Sequence, residues 1–163
     1  MLTVLLIGFP LLAGLLVLLA NEKNAKQITL LASLIQLSTT VFALTQFQYN
    51  SEEQFALSIE WVKSLGIHFS VAMDGISILL VLLTNVLVPL IVLSSFDRKI
   101  ENANTFYSLM LIMQSALVGV FTAMDGFLFY IFWELALIPI WFICLRWGSS
   151  TNNSKITFKF FVY

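Results

Sequence analysis

Apolar residues fall into five long runs separated by short polar links, at about 2–20, 28–47, 76–96, 106–123 and 126–145. Each run is close to the ~20 residues that a helix needs to cross a hydrocarbon core of ~30 Å. The pattern predicts five transmembrane helices. A further apolar run starts near Ile156, and the sequence stops eight residues later at Tyr163. Eight residues cannot cross a bilayer, so the chain is expected to be the N-terminal part of a longer protein carrying the start of a sixth helix.

The longest link, 48–75, has a different period. Phe55, Leu57, Ile59 and Trp61 alternate with Ala56, Ser58 and Glu60. After Lys63-Ser64-Leu65-Gly66, Ile67, Phe69, Val71 and Met73 alternate with His68, Ser70 and Ala72. A period of two on both sides of a short break predicts a β-hairpin with its apolar side on the helices. His68, the one histidine, falls on the polar side, where a solvated strand residue is expected ahead of the alternative, an entry group of a proton path. Asp74 precedes the third helix and has the character of an N-cap. The fold class predicted is an all-α membrane protein with a short β-hairpin between its second and third helices.

Composition strengthens this picture. The chain is 60% apolar and 10% charged, against about 45–50% and about 25% in soluble domains. Its formal net charge of −1 excludes a basic nucleic-acid surface. Cys144 is the single cysteine, so neither an internal disulfide nor a zinc or iron–sulfur ligand set can be built. The first twenty residues lack a basic leader and a small-residue cleavage site, and are read as a retained helix instead of a signal peptide.

Charge also predicts orientation. Lys23 and Lys26, Arg98 and Lys99, and Arg146, Lys155 and Lys159 fall after the first, third and fifth helices. Alternating spans put these links, 21–27, 97–105 and 148–155, on one side, and only Lys63 falls on the other. By the positive-inside rule the N-terminus faces outward and these links face the cytoplasm.

Polar residues inside the spans are few. Pro10 frees the carbonyl of Leu6, Pro89 that of Asn85 and Pro139 that of Leu135. Ser33, Gln36 and Thr40 form a stripe expected to face another helix or an internal water path. Ser115, Gly119 and Ala123 form a small-residue ridge that invites close helix packing, with Gln114 beside it.

The exception is Glu134. On a helix begun near Gly126 it lies about 12 Å in, close to mid-membrane. A carboxylate there costs roughly 2.5–3.5 kcal/mol. A structural carboxylate joining two helices is the plain alternative, but a neutral glutamine would do that at lower cost. The expectation is a proton-loading site, whose affinity desolvation raises and a nearby cation lowers. Tyr130, one turn away, can donate to the carboxylate. Pro139 leaves a broken backbone ladder next door, where water could enter.

Phe132-Trp133-Glu134-Leu135 with Pro139, then Leu145-Arg146-Trp147-Gly148, resembles the fifth-helix signature of the antiporter-like subunits of respiratory complex I, in their chain 4 or M branch. Met73-Asp74-Gly75-Ile76-Ser77 is similar to the start of that family's third helix, and Lys159-Phe160-Phe161-Val162-Tyr163 to the start of its sixth. The resemblance covers essentially all of this chain but well under half of a complete member. It implies a proton-translocating subunit of NADH:quinone oxidoreductase in a bacterial inner membrane or an equivalent energy-transducing membrane. NADH, FMN, iron–sulfur clusters and quinone are then expected in partner subunits, and no cofactor or metal in this chain. The implied partners are other membrane subunits, the lipid bilayer, protons and internal water. The acid matching Glu134 is implied to pair with a lysine on a later helix; Lys155 and Lys159 belong to a helix end and are not that partner. Two other readings stay open: a subunit of a multi-chain cation/proton antiporter, and a non-catalytic membrane anchor.

Overall fold

The computed structural model describes residues 1–48, 53–148 and 157–159. The order is α1 (Leu2–Leu19), α2 (Glu22–Gln46), β1 (Gln54–Val62), β2 (Ile67–Met73), α3 (Gly75–Ser94), α4 (Ala103–Thr122) and α5 (Gly126–Trp147). All five helices are long and apolar enough to span a membrane. The protein is an integral membrane protein of the predicted all-α class, with the predicted hairpin between α2 and α3.

Helix ends differ from the hydropathy runs where polar residues continue the spiral. α2 begins at Glu22, so most of the expected 21–27 link is helical. Glu, Lys, Gln and Ala are good helix formers, and hydropathy registers only their charge. For the same reason α4 starts at Ala103, and α5 runs on through Arg146 to Trp147. Of the expected sixth helix, Thr157, Phe158 and Lys159 are helical. The rest of that run, Lys155 and most of the 148–155 link lie outside the described residues.

α4 is the hub. It touches every other helix and β2, and is the most buried span. The interior is layered along the membrane normal. At the hairpin end Leu6, Ile7, Phe47, Val71, Met73, Val118 and Phe132 form one apolar cluster. At the opposite end Val17, Ala25, Val88, Val92, Tyr107 and Leu111 form another. Between them lies a belt of fully buried polar side chains: Gln36, Thr40, Asn85, Gln114 and Ser115.

The belt is a hydrogen-bonded chain across four helices. Gln114 Nε2 donates to Asn85 Oδ1 at 2.7 Å, Asn85 Nδ2 to Thr40 Oγ1 at 2.6 Å, and Thr40 Oγ1 to the Gln36 carbonyl at 2.9 Å. Gln36 Nε2 donates at 2.7 Å to the Leu6 carbonyl, the group that Pro10 releases. Ser115 Oγ donates to the Ile7 carbonyl at 2.6 Å. The stripe on α2 therefore serves helix packing, as does Gln114. Ser33 takes no part and bonds back to Leu30 in its own helix.

The hairpin is antiparallel, with Ile59 opposite Phe69 and Glu60 opposite His68. A single 3-10 turn at Lys63–Leu65 and Gly66, in the left-handed region at φ 65°, reverse the chain. Its apolar side meets the helices unevenly. Phe55 and Leu57 pack on the core, whereas Ile59 and Trp61 are each 54% exposed. Two register irregularities fall at Gln54/Leu57 and Glu60/Val62, and at the far end the Trp61 ring meets Phe127 at the start of α5 edge-on, 6.4 Å between centres.

Candidate functional site

α5 starts with a built corner. The Asp125 carboxylate accepts from the amides of Phe127 at 2.9 Å and Leu128 at 3.2 Å, capping the helix. Its other oxygen accepts from the His68 amide on β2 at 3.4 Å. Met124 N donates to Ser70 O at 2.9 Å, and Ala123 bridges to Val71. The α4–α5 corner is thus joined to β2 like a short third strand. The helix amides, Leu128 foremost, then those of His68 and Phe127 and the nearby His68 ring hold the Asp125 carboxyl below the usual carboxylate range. Asp74 caps α3 in the same way, accepting from Ile76 N at 3.0 Å and Ser77 N at 2.6 Å.

From that corner α5 leans on α4 along one seam. Leu128, Phe132, Ala136 and Pro139 are its buried residues. Phe132 fits the small-residue ridge so closely that a Cβ on Gly119 would lie 2.4 Å from its ring. Ser115 on the same ridge faces α1 instead, through its bond to Ile7.

Glu134 lies two residues from both Phe132 and Ala136, a rotation of about 200° on a helix, so it points away from α4. It is half-buried, and its face carries Tyr130 and Ile138, 59% and 46% exposed. The Tyr130 phenol lies against the Glu134 carboxylate, as expected from their spacing. Pro139 stands on the buried side, beneath the freed Leu135 carbonyl. The acid is therefore not enclosed between packed spans of this chain. Apart from α4 and β2, no described element packs on α5 to a comparable extent, so its outward face is open. Taking Phe132 level with Gly119, Glu134 stands within roughly one turn of the depth of the Gln114 belt.

Among the described residues the one ion pair is Lys63–Glu60 at 3.1 Å, on the hairpin turn. Glu134 has no cation beside it there. No three His, Cys, Asp or Glu side chains of the described residues gather as a metal ion would require. His68 is half-buried in β2, near the Asp125 carboxylate and far along the chain from Glu134. Reading the sequence missed Asp125 as a cap and the strand-like corner; the signal available was Asp125-Gly126, which repeats Asp74-Gly75 at the start of α3.

No family model matches the chain. Individual relatives do. It is 38% identical over 98% of its length to F(420)H(2) dehydrogenase subunit M of Methanosarcina mazei, of which it covers 32%. It is 33% identical over its whole length to NADH-quinone oxidoreductase subunit M of Buchnera aphidicola subsp. Baizongia pistaciae, of which it covers 35%. It is 37% identical over 97% of its length to NAD(P)H-quinone oxidoreductase chain 4 3 of Picosynechococcus, of which it covers 29%. The chain thus spans about a third of the length of the curated relatives it matches. Its fold is that of a chain of respiratory complex I from Thermus thermophilus, with a TM-score of 0.85 at 22% identity, covering all of this chain and 32% of that one. A chain of the membrane-bound sulfane sulfur reductase, an archaeal respiratory membrane complex, superposes with a TM-score of 0.83 at 19% identity, over 98% of this chain and 33% of that one. With M and chain 4 sequences matching nearly its whole length, and with the same fold as chains of respiratory membrane complexes, the chain is a homologue of about a third of the M, or chain 4, membrane subunits of these oxidoreductases.

Proposed function

We propose that this chain forms part of a proton-translocating subunit of an NADH:quinone oxidoreductase, and that Glu134 is a proton-loading group. The observation that carries the reading is a carboxylate near mid-span, on a face of α5 that this chain leaves open. Carrying an acid there costs a few kcal/mol and brings no packing in return. An open face lets the charge state of Glu134 respond to whatever stands against it. A cation approaching that face favours the carboxylate, and a retreating cation favours the acid. Each unit of such a swing is worth about 1.4 kcal/mol. Tyr130 orients the carboxylate, and the carbonyl freed by Pro139 offers a water an acceptor close by. The hydride donor, flavin, iron–sulfur clusters and quinone belong to partner subunits in this reading.

The test is Glu134→Gln in the full-length subunit within its complex. Proton pumping and coupled turnover should fall sharply, while Tyr130→Phe should lower them less. Unchanged proton-to-electron stoichiometry and turnover in Glu134→Gln would remove Glu134 from the mechanism and favour an anchoring role.

We also propose that the N-terminus faces outward. Support comes from the basic residues at one end of the bundle: Lys23 and Lys26 share a cleft with Arg98, and Arg98 and Lys99 share another with Arg146. Lys63 stands at the hairpin end. A cysteine introduced at Glu101 should react with an impermeant maleimide only from the cytoplasmic side; labelling from outside would reverse the assignment.

A further inference from the structure

We propose that the cleft between the C-terminal ends of α3 and α5 binds one anionic phospholipid, with its phosphate on Arg98, Lys99 and Arg146. The cleft has a volume of about 570 Å³. Ile91, Phe106 and Ile143 form its apolar part and these three cations its polar part. The one carboxylate in the wall is Glu101. Among the described residues none of the three cations makes an ion pair. Helix C-termini favour basic side chains, which accounts for one or two of them here. It does not account for the convergence of all three on one cavity whose wall also carries Ile91, Phe106 and Ile143.

That apolar wall beside the cations is what the start of an acyl chain needs. α3 and α5 both pack on α4 and form no seam with each other. Ile91 on α3 and Ile143 on α5 line the cleft, and Leu87, one turn deeper than Ile91 on the same face, is exposed. Trp147 closes the rim. Its indole donates to the Glu101 carbonyl at 3.0 Å, and the Arg146 guanidinium lies 5.6 Å from its ring centre. An indole at this depth marks the headgroup boundary. A guanidinium held over it can meet a phosphate with two parallel hydrogen bonds. Basic pockets between spans are suited to anionic headgroups.

A following stretch of this chain would fit the charge poorly. Ser149-Ser150-Thr151-Asn152-Asn153-Ser154-Lys155 brings no carboxylate and adds a cation. A zwitterionic lipid offers a phosphate but carries its own ammonium, which the three cations repel.

The test uses the full-length subunit in its complex, in membranes doped with photoactivatable phosphatidylglycerol or with phosphatidylcholine of the same chains. Phosphatidylglycerol should label the peptides holding Ile91–Phe106 and Ile143–Trp147, and phosphatidylcholine should not. Each basic residue near an anionic headgroup contributes about fivefold, so Arg98→Gln/Lys99→Gln/Arg146→Gln should raise the half-labelling lipid fraction roughly a hundredfold. Lys99→Gln alone, an exposed site, should raise it about fivefold, and Lys63→Gln should leave it unchanged. Equal labelling by the two lipids, or wild-type labelling of the triple variant, would overturn the proposal. So would loss of labelling on adding inorganic phosphate, which would mark a small-anion site, or crosslinks to a neighbouring polypeptide in place of lipid.

Discussion

Two neighbouring residues on α5 do opposite things. Phe132 presses its ring against Gly119, and Glu134 points the other way. Gly119→Ala should therefore cost about 1–3 kcal/mol, because the ring has no free end to move aside. Thermal unfolding in detergent would read this, with Phe132→Leu restoring part of the loss. The caps give a pH prediction. The amide of Ser77, aided by its hydroxyl and by the Ile76 amide, holds the Asp74 carboxyl below the usual range. A lowered native value means its stabilisation is complete above the unfolded value of about 3.9 and is lost as pH falls through the native one. Asp74→Ala should lower stability by about 1 kcal/mol at neutral pH. Asp74→Asn should keep the cap and flatten the acid limb of an unfolding curve recorded from pH 5 downward. At this scale the sequence was informative wherever a residue type broke its surroundings. Glu134 in an apolar run, Asp74 before Gly75 and glycine in a small-residue ridge each named their place. Which way Glu134 faces was not legible, since α5 is apolar all round and carries no stripe to say which side meets α4.

Among the elements, the spans and the hairpin follow from period and length. Their ends do not, because hydropathy registers charge and a helix ends for reasons of backbone geometry. The six residues gained at the start of α2 are the clearest case. The pairing of polar side chains was legible only as a stripe. That Gln36 would reach the carbonyl left by Pro10 depends on how α1 crosses α2, which no single helix encodes. The belt gives a further prediction. Asn85 both donates to Thr40 and accepts from Gln114, so Asn85→Ala should destabilise the bundle by about 1 kcal/mol. Thr39→Ala, which removes only an exposed bond within its own helix, should change the melting temperature little.

For the molecule as a whole, α4 and α5 are the extremes. α4 is enclosed by its neighbours, and α5 holds on by one seam, its capped corner and the Trp147 contacts at its end. Local opening follows contact density. In hydrogen exchange of the detergent-solubilised protein, amides beyond Pro139 in α5 should exchange well before those of α4. Equal protection of the two helices would mean that α5 is held by more than the Phe132 seam.

The corner at Asp125 has one more consequence. It is tied to β2 by the His68 amide, the Met124–Ser70 bond and the Ala123 bridge, and the far end of α5 is fastened by the Trp147 indole on the Glu101 carbonyl and its ring against Phe106. A rod pinned at both ends bows between its pins; it does not slide along its own length. Any rearrangement that reaches α5 therefore moves Glu134, between the two pins, sideways more than either end, and leaves its height in the membrane almost constant.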